Sequence, residues 1–133
     1  MALADKANWL IESNLAGEIT LSGLADRLGV SPHHLARSFV TSTGQPVMRH
    51  VWQRRLTLAA IALAQGKASI LTVALDAGYG GPEAFARAFR AEFGITPSAL
   101  RRSRRLNDLT LTQPLQMRPP MTAIFTAPTL TKL

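Results

Sequence analysis

Apolar residues recur at intervals of three and four through the middle of the chain, from residue 46 to residue 65. This spacing predicts one long amphipathic helix, because residues three and four apart share a helix face. Pro46 suits the first turn of such a helix, and Gly66 suits its end. At about 1.5 Å per residue, roughly twenty residues form a rod about 30 Å long. The predicted apolar stripe consists of Met48, Trp52, Leu56, Ala59 and Leu63, flanked by Val51 and Ala60, with Gln53 and Arg54 off it.

Helical patterns also precede this rod. Apolar spacing predicts a first short helix over residues 2–14. Residues 20–45 then predict two helices separated by Gly29, the first capped by Thr20 and the second by Ser31. Two helices joined by a tight turn that contains glycine are typical of a helix-turn-helix.

The pattern of residues 20–45 returns in residues 69–94. The small residues around the turn recur 49 residues later, and the positions of the following helix recur 50 residues later. The matched pairs are Ala25 with Ala74, Gly29 with Gly78, Leu35 with Phe85, Arg37 with Arg87, Phe39 with Phe89, and Gly44 with Gly94. We therefore predict an all-α domain over residues 1–103, in which two helix-turn-helix units flank the rod and a last helix spans residues 96–103.

The character of the chain changes at Arg104. Residues 104–133 hold four of the eight prolines and show no helical periodicity. The predicted tail is either irregular or contains short strands at residues 109–112 and 122–126, which the nearby prolines would confine to an edge. The segment is either a linker that leads into the start of a further domain or a tail that packs on the helices.

Composition favours a polyanionic partner. Fifteen Lys and Arg against eight Asp and Glu give a net charge of +7, and eleven of the fifteen precede Arg104. The excess could also serve solubility alone, so the positions of the arginines matter more than their number. Without cysteine, disulfides and thiolate metal sites are excluded and a cytoplasmic location is expected. The apolar run 56–64 is too short for a membrane span, and residues 1–8 show no secretory signal.

Residues 25–44 and 74–97 resemble the DNA-binding domain of the AraC/XylS family of bacterial transcriptional regulators, and the resemblance extends over about residues 8–102. It implies seven helices, two helix-turn-helix subdomains joined by the long helix, and two recognition helices that enter successive segments of the major groove. Residues 117–120 resemble the junction at which, in some members, a gyrase-inhibitor-like effector-binding domain follows. Besides the matched pairs, the resemblance rests on Ser31, Arg55, Leu56, Ala59, Leu63, Ala77, Tyr79, Ala88, Arg90, Phe93, Ile95, Thr96, Pro97 and Arg101.

The first predicted recognition helix has a face suited to reading bases. If Leu35 and Phe39 are buried, a step of about 100° per residue turns the opposite face toward solvent or DNA. Arg37 is the strongest candidate there, because its guanidinium can bond both major-groove acceptors of guanine. His33 can donate or accept a hydrogen bond, and it could equally be a plain surface histidine. The predicted base contacts of this helix are His33, Ala36, Arg37 and Thr41, with Val40 exposed beside them.

The second predicted recognition helix buries two phenylalanines in the same way and exposes Pro82, Glu83 and Arg87, its predicted base contacts. Arg87 repeats the position of Arg37. The family commonly carries polar side chains around Pro82, so this helix either reads bases or binds mainly through DNA shape and phosphates. Glu83 could accept a hydrogen bond from cytosine or could stabilise the positive end of the helix.

Phosphate contacts are predicted for outward-facing arginines and for backbone N–H groups at helix starts, since these groups bind anions without reading sequence. Arg55 is instead assigned a structural role, because it borders the packed side of the rod. The tryptophans Trp9 and Trp52 are assigned to packing. The predicted phosphate contacts are Arg49, Arg54, Arg90, Arg101 and Arg102, with Ser31, Gly81 and Thr96 at the helix starts.

Neither catalysis nor a cofactor is expected, because no nucleophile accompanies a base and an orienting group. His33, His34 and His50 do not form a metal site, since adjacent histidines on a helix diverge. The sequence is therefore interpreted as a monomer-capable, sequence-specific duplex DNA binder that regulates transcription. RNA polymerase is expected as a further partner, and any small-molecule effector would act through a further domain. The alternatives are a helical protein-interaction module and a nonspecific architectural DNA binder.

Overall fold

The computed structural model describes residues 2–115, which form helices and no strand. The predicted all-α fold is confirmed for this part of the chain. Of the two alternatives for residues 109–112, irregular structure and a short strand, the structure has the first, because Thr112 pairs its backbone with side chains of the central helix rather than with another strand. Residues 117–120 and 122–126 lie outside the described residues. The helices are α1 (Leu3–Ser13), α2 (Leu21–Leu28), α3 (Pro32–Thr43), α4 (Val47–Gln65), α5 (Ile70–Asp76), α6 (Pro82–Phe93) and α7 (Pro97–Ser103).

Helices α2, α3 and α5 begin directly after a Ser or Thr residue whose hydroxyl caps the helix. The Thr20 side chain accepts a hydrogen bond from the Gly23 N–H at 3.0 Å, and Ser69 does the same for Thr72 at 3.1 Å. Ser31 caps α3 in this way, so both caps predicted for the first unit are confirmed. Thr20 and Ser69 are also 49 residues apart, so the sequence repeat includes the N-cap residue of the first helix in each unit.

The turns of the two units require glycine for different reasons. Gly29 and Gly78 have φ of 72° and 92°, in the left-handed region that favours glycine. A Cβ at Gly29 would meet open space, whereas one at Gly78 would lie 3.1 Å from Nη1 of Arg55 and 3.4 Å from the Trp52 ring. The first turn therefore needs glycine for its backbone angle alone, and the second also needs it for the close approach of the central helix.

Each helix-turn-helix unit closes its own hydrophobic core on one half of α4. The first core joins α1, α2 and α3 to Val47 and Val51, and the second joins α5, α6 and α7 to Leu56 and Leu63. The residues without exposed surface include the predicted pairs Ala25 and Ala74, Leu35 and Phe85, and Phe39 and Phe89. Trp9 does not join the first core: it is 61% exposed, so its assignment to packing is wrong.

The two cores face different sides of the central helix. At about 100° per residue, Val51 of the first core and Leu63 of the second point about 120° apart. A single apolar stripe therefore describes α4 only in part: Leu56, Ala59 and Leu63 are buried, whereas Met48 and Trp52 are half-buried. The helix also buries polar residues, namely His50, Arg54, Arg55 and Thr57.

The chain after α7 turns back across the helices. Arg104 ends α7 in the left-handed conformation, and its guanidinium lies against Gly66 at the end of α4. Leu106, Leu109 and Leu111 then pack on the second core, and Leu115 packs on the first. Residues 104–115 thus pack on the helices, and the choice between a linker and a tail for residues 104–133 stays a prediction. None of the helices within residues 2–115 is both long and apolar enough to cross a membrane.

His50 is buried where α4 begins, with no exposed surface. Its ring lies against Phe39, with 6.0 Å between the ring centroids, and Nδ1 lies 3.3 Å from the Gln45 side-chain nitrogen. Burial lowers the pKa of His50; the nearby Glu12 carboxylate raises it and Arg54 lowers it further. The imidazole is therefore neutral in the native protein at neutral pH.

The pKa of His50 has a consequence for stability. Below its ordinary value of 6.5, the unfolded chain takes up a proton at His50 that the native state still excludes. We expect the free energy of unfolding to fall more steeply as pH decreases through this range in the wild type than in His50→Gln. Urea unfolding at a series of pH values from neutrality downward measures the difference, and parallel curves for the two proteins would contradict it.

Candidate nucleic-acid interface

α3 presents a polar face opposite its buried residues. Leu35 and Phe39 have no exposed surface, so their packing fixes the rotation of the helix. His33, Arg37 and Thr41 follow at intervals of four on the other side, and all three are exposed. Ala36 is half-buried at the edge of this face, and Val40 is 45% exposed within it. The structure thus brings the predicted base-contacting residues of the first unit onto one surface; their contact with bases stays a prediction.

α6 repeats this arrangement with a different set of outward residues. Phe85 and Phe89 are fully buried, and the exposed positions include Pro82, Glu83, Arg87 and Arg90. Arg87 stands on α6 where Arg37 stands on α3, 50 residues earlier. Each unit therefore offers one exposed arginine at the same place on its second helix.

The two helices begin differently. Ser31 caps α3 by accepting a hydrogen bond from the His34 N–H at 3.1 Å. Gly81 has no side chain to cap α6, and Pro82 contributes no N–H. The Glu83 carboxylate lies close to Gly81, with Oε1 about 3.5 Å from the place a Cβ would take. This position favours the interpretation that Glu83 neutralises the positive end of the helix.

Three of the arginines predicted to contact phosphate remain at the surface. Arg49 lies in the first turn of α4, Arg90 lies on α6, and Arg102 lies near the end of α7; all three are exposed. Ser31 is exposed, whereas Gly81 and Thr96 are half-buried. The Thr96 side chain accepts a hydrogen bond from the Ala99 N–H at 3.1 Å, so its oxygen already caps α7.

Arg54 is corrected from a phosphate contact to an internal residue. Its Nε and Nη2 donate to the two carboxylate oxygens of Glu12 at 2.8 and 2.9 Å, and Nη1 donates to the Thr112 carbonyl at 2.7 Å. The side chain is only 7% exposed. With these donors used inside the protein, Arg54 is unavailable to DNA.

Arg101 also makes hydrogen bonds within the protein. Its Nε donates to the Leu63 carbonyl at 3.1 Å, and its Nη2 donates to the carbonyl of Ala68. These carbonyls belong to the last turn of α4 and to the loop that follows, so Arg101 ties α7 to the end of the central helix. Arg101 is half-buried, and these bonds use its Nε and Nη2, so its phosphate contact stays a prediction.

The structural role predicted for Arg55 is confirmed. Its Nε donates to the Leu15 carbonyl at 3.2 Å, its Nη2 donates to the Gly17 carbonyl, and its guanidinium lies 5.1 Å from the centre of the Trp52 ring. Trp52 in turn packs on Tyr79, with 5.2 Å between ring centroids. Burial lowers the pKa of Arg55, and burial raises the pKa of Tyr79. The predicted packing role of Trp52 agrees with these contacts.

Sequence reasoning missed two exposed arginines that follow α7. Arg104 and Arg105 continue the basic run begun by Arg102 and are exposed. The run of arginines was visible in the sequence, but the predicted end of the domain at residue 103 excluded both. No cluster of metal-ligating side chains is found among residues 2–115.

Comparisons with known proteins agree with this geometry. Residues 24–103 match the helix-turn-helix domain family. The chain is 32% identical to the transcriptional regulator Rob of Salmonella typhimurium over 115 residues, which is 86% of this chain and 39% of Rob. It is 36% identical to the regulatory protein SoxS of Salmonella typhimurium over 91 residues, which is 68% of this chain and 85% of SoxS. The chain therefore spans less than half of Rob but most of SoxS.

Solved structures show the same architecture. An AraC-type transcriptional regulator from Chromobacterium violaceum has a TM-score of 0.72 and 28% identity, covering 79% of this chain and 94% of that one. The DNA-binding domain of the transcriptional factor AdpA, solved in complex with a target DNA, has a TM-score of 0.68 and 29% identity. That match covers 79% of this chain and 96% of the AdpA domain.

Proposed function

Because this chain belongs to the AraC/XylS family of helix-turn-helix regulators, we propose that it binds specific duplex DNA sequences and thereby regulates transcription. The observation that carries the proposal is the pair of exposed arginines, Arg37 and Arg87, at equivalent positions of two duplicated units. A solubilising charge would not need to recur at the same place on two helices. The solved complex of the similar AdpA domain with DNA supports the same conclusion.

The length of α4 supports simultaneous binding of two groove segments. Its 19 residues correspond to about 28 Å at the helical rise of about 1.5 Å per residue. Successive major-groove segments on one face of B-DNA are about 34 Å apart. With one unit packed at each end of α4, we assign α3 to one major-groove segment and α6 to the next.

The first unit has the more complete reading surface. Arg37 is assigned to guanine, because its forked donors match the two guanine acceptors in the major groove. His33 and Thr41, one helical turn to either side, can bond neighbouring bases or the backbone. Ala36 and Val40 are apolar and suit contact with a thymine methyl group.

The second unit is assigned a smaller share of the sequence reading. Arg87 is its base-reading candidate, whereas Pro82 offers no donor and Glu83 lies over the start of its own helix. A carboxylate at that point also repels phosphate. We therefore assign α6 one guanine contact, with the rest of its affinity from Arg90 and from the shape of the groove.

Regulation requires more than DNA binding. We therefore include two partners in the proposal. One is RNA polymerase, and the other is a small-molecule effector that acts through a further domain. The likeness to Rob, a transcriptional regulator of which the chain spans 39%, supports the regulatory role itself. The competing function is a helical module that docks on other proteins without reading DNA; the exposed arginines repeated on both units speak against it as the only role.

Selection of bound duplexes from a random-sequence pool tests this function. We expect recovery of a two-part motif whose halves are about one helical turn apart. Recovery of bound DNA without any motif would leave a nonspecific architectural binder. Size-exclusion chromatography with a short duplex at low salt provides the remaining comparison, since no shift there would leave only the protein-interaction function.

A further inference from the structure

The two hydrophobic cores do not continue into each other along α4. Val51 is the last residue of α4 in the first core, and Leu56 is the first in the second. Between them lie the buried arginines Arg54 and Arg55. The cores also face different sides of the helix, so no single apolar stripe of α4 runs from one unit into the other.

Hydrogen bonds cross this boundary instead. Arg54 binds Glu12 of α1 through two donors and the Thr112 carbonyl through a third. The Thr112 N–H donates to the hydroxyl of Thr57 at 2.8 Å, and Thr57 is only 1% exposed. Both backbone groups of Thr112 are therefore held by side chains of α4.

Residues 106–115, the brace segment, connect the two units outside α4. Its first leucines pack on the second core, and Leu115 packs on the first. At its far end, the Asn8 side chain of α1 donates to the Leu115 carbonyl at 2.8 Å. The brace segment is thus fixed to the second unit, to the middle of α4, and to the first unit.

We propose that Arg54 and Thr57 are positioning residues for DNA binding, which clamp Thr112 of the brace segment and so set the angle between α3 and α6. The inference rests on the proposed function, in which both helices contact one duplex. Hydrogen bonds are directional and apolar contacts are much less so, so these bonds, together with those of Arg55 to Leu15 and Gly17, favour one relative orientation of the two units. That orientation sets the spacing between the two half-sites.

Thr57→Val tests the assignment, because valine keeps the shape of threonine but cannot accept from Thr112. Thr57→Ser is the matched control, since it keeps the hydroxyl. Asn8→Ala, which frees the brace segment from α1, is a second variant that leaves α4 unchanged. Each protein is used in the random-pool selection, and its affinity is then measured for the selected duplex and for the same duplex with one half scrambled.

We expect the wild type and Thr57→Ser to recover one half-site spacing, and Thr57→Val and Asn8→Ala to recover the same half-sites over several spacings. For these two variants, affinity for the full duplex should fall by about tenfold, because simultaneous binding of both halves is impaired. Affinity for the scrambled duplex should stay unchanged, which a loss of folding would not allow. If Thr57→Val also loses affinity for the scrambled duplex, its folding is impaired. The role of the brace segment is then judged from the half-site spacing of Asn8→Ala.

Unchanged spacing in Thr57→Val, or equal losses on full and scrambled duplexes in both variants, would overturn the positioning role alone. A wild-type protein that selects a single undivided motif would overturn the two-groove binding mode, and the positioning role with it. The two failures are therefore distinguished by whether the wild type itself selects two half-sites.

Discussion

Replacement of Arg54 by alanine should lower the free energy of unfolding by about 3 kcal/mol, a large effect for one arginine on a helix. The guanidinium is almost fully buried and makes three hydrogen bonds, two of them to the Glu12 carboxylate. Alanine leaves that carboxylate and the Thr112 carbonyl without their donors. Because the Glu12 side chain is 25% exposed, water can reach it, which places the expected cost at the low end for a broken buried ion pair.

Urea unfolding followed by circular dichroism measures this loss, and Arg49→Ala is the matched control. Arg49 lies on the same helix, five residues earlier, and is exposed. Truncation at such a surface position usually changes stability by no more than about 0.5 kcal/mol. Similar small losses for the two variants would show that the bonds between Arg54 and Glu12 do not stabilise the native state.

The sequence predicted the helices and the duplication because both depend on local patterns. N-cap hydroxyls, turn glycines and buried residues three and four apart act within a few residues, so Thr20, Gly29 and Phe39 could be interpreted without coordinates. The repeat added independent support, since each feature recurred at a nearly constant interval. The outward positions of Arg37 and Arg87 followed directly, because the buried pair on each helix determines the opposite face.

The roles of Arg54 and Arg101 could not be predicted in this way, because their partners are distant along the chain. Glu12 lies 42 residues from Arg54 and Thr112 lies 58 residues away, while Ala68 lies 33 residues from Arg101. An arginine off the apolar stripe of a helix is usually solvated, which made the phosphate assignment reasonable from pattern alone. What overrode the pattern was contact of Arg54 with α1 and with the chain that returns after α7, and contact of Arg101 with the end of α4.

Arg37→Ala should weaken binding to the selected duplex by about 1 to 3 kcal/mol and relax the preference at one base pair. Arg37 is held at the centre of the exposed face by the packing of Leu35 and Phe39, so truncation removes the donor fork without disturbing the core. A guanine that loses both of its bonds is no longer distinguished from the other bases. Affinity for random duplex should change little, because phosphate contacts supply most nonspecific binding.

Arg102→Ala is the comparison variant that distinguishes a base contact from a phosphate contact. Arg102 is exposed near the end of α7, away from both recognition helices in sequence, and is assigned to phosphate. Its removal should weaken selected and random duplexes alike and reduce the dependence of log affinity on log salt by about one unit of slope. If Arg37→Ala instead weakened both duplexes equally and lowered the salt slope as Arg102→Ala does, Arg37 would be a phosphate contact. The sequence preference would then have to come from DNA shape or from the other residues of α3.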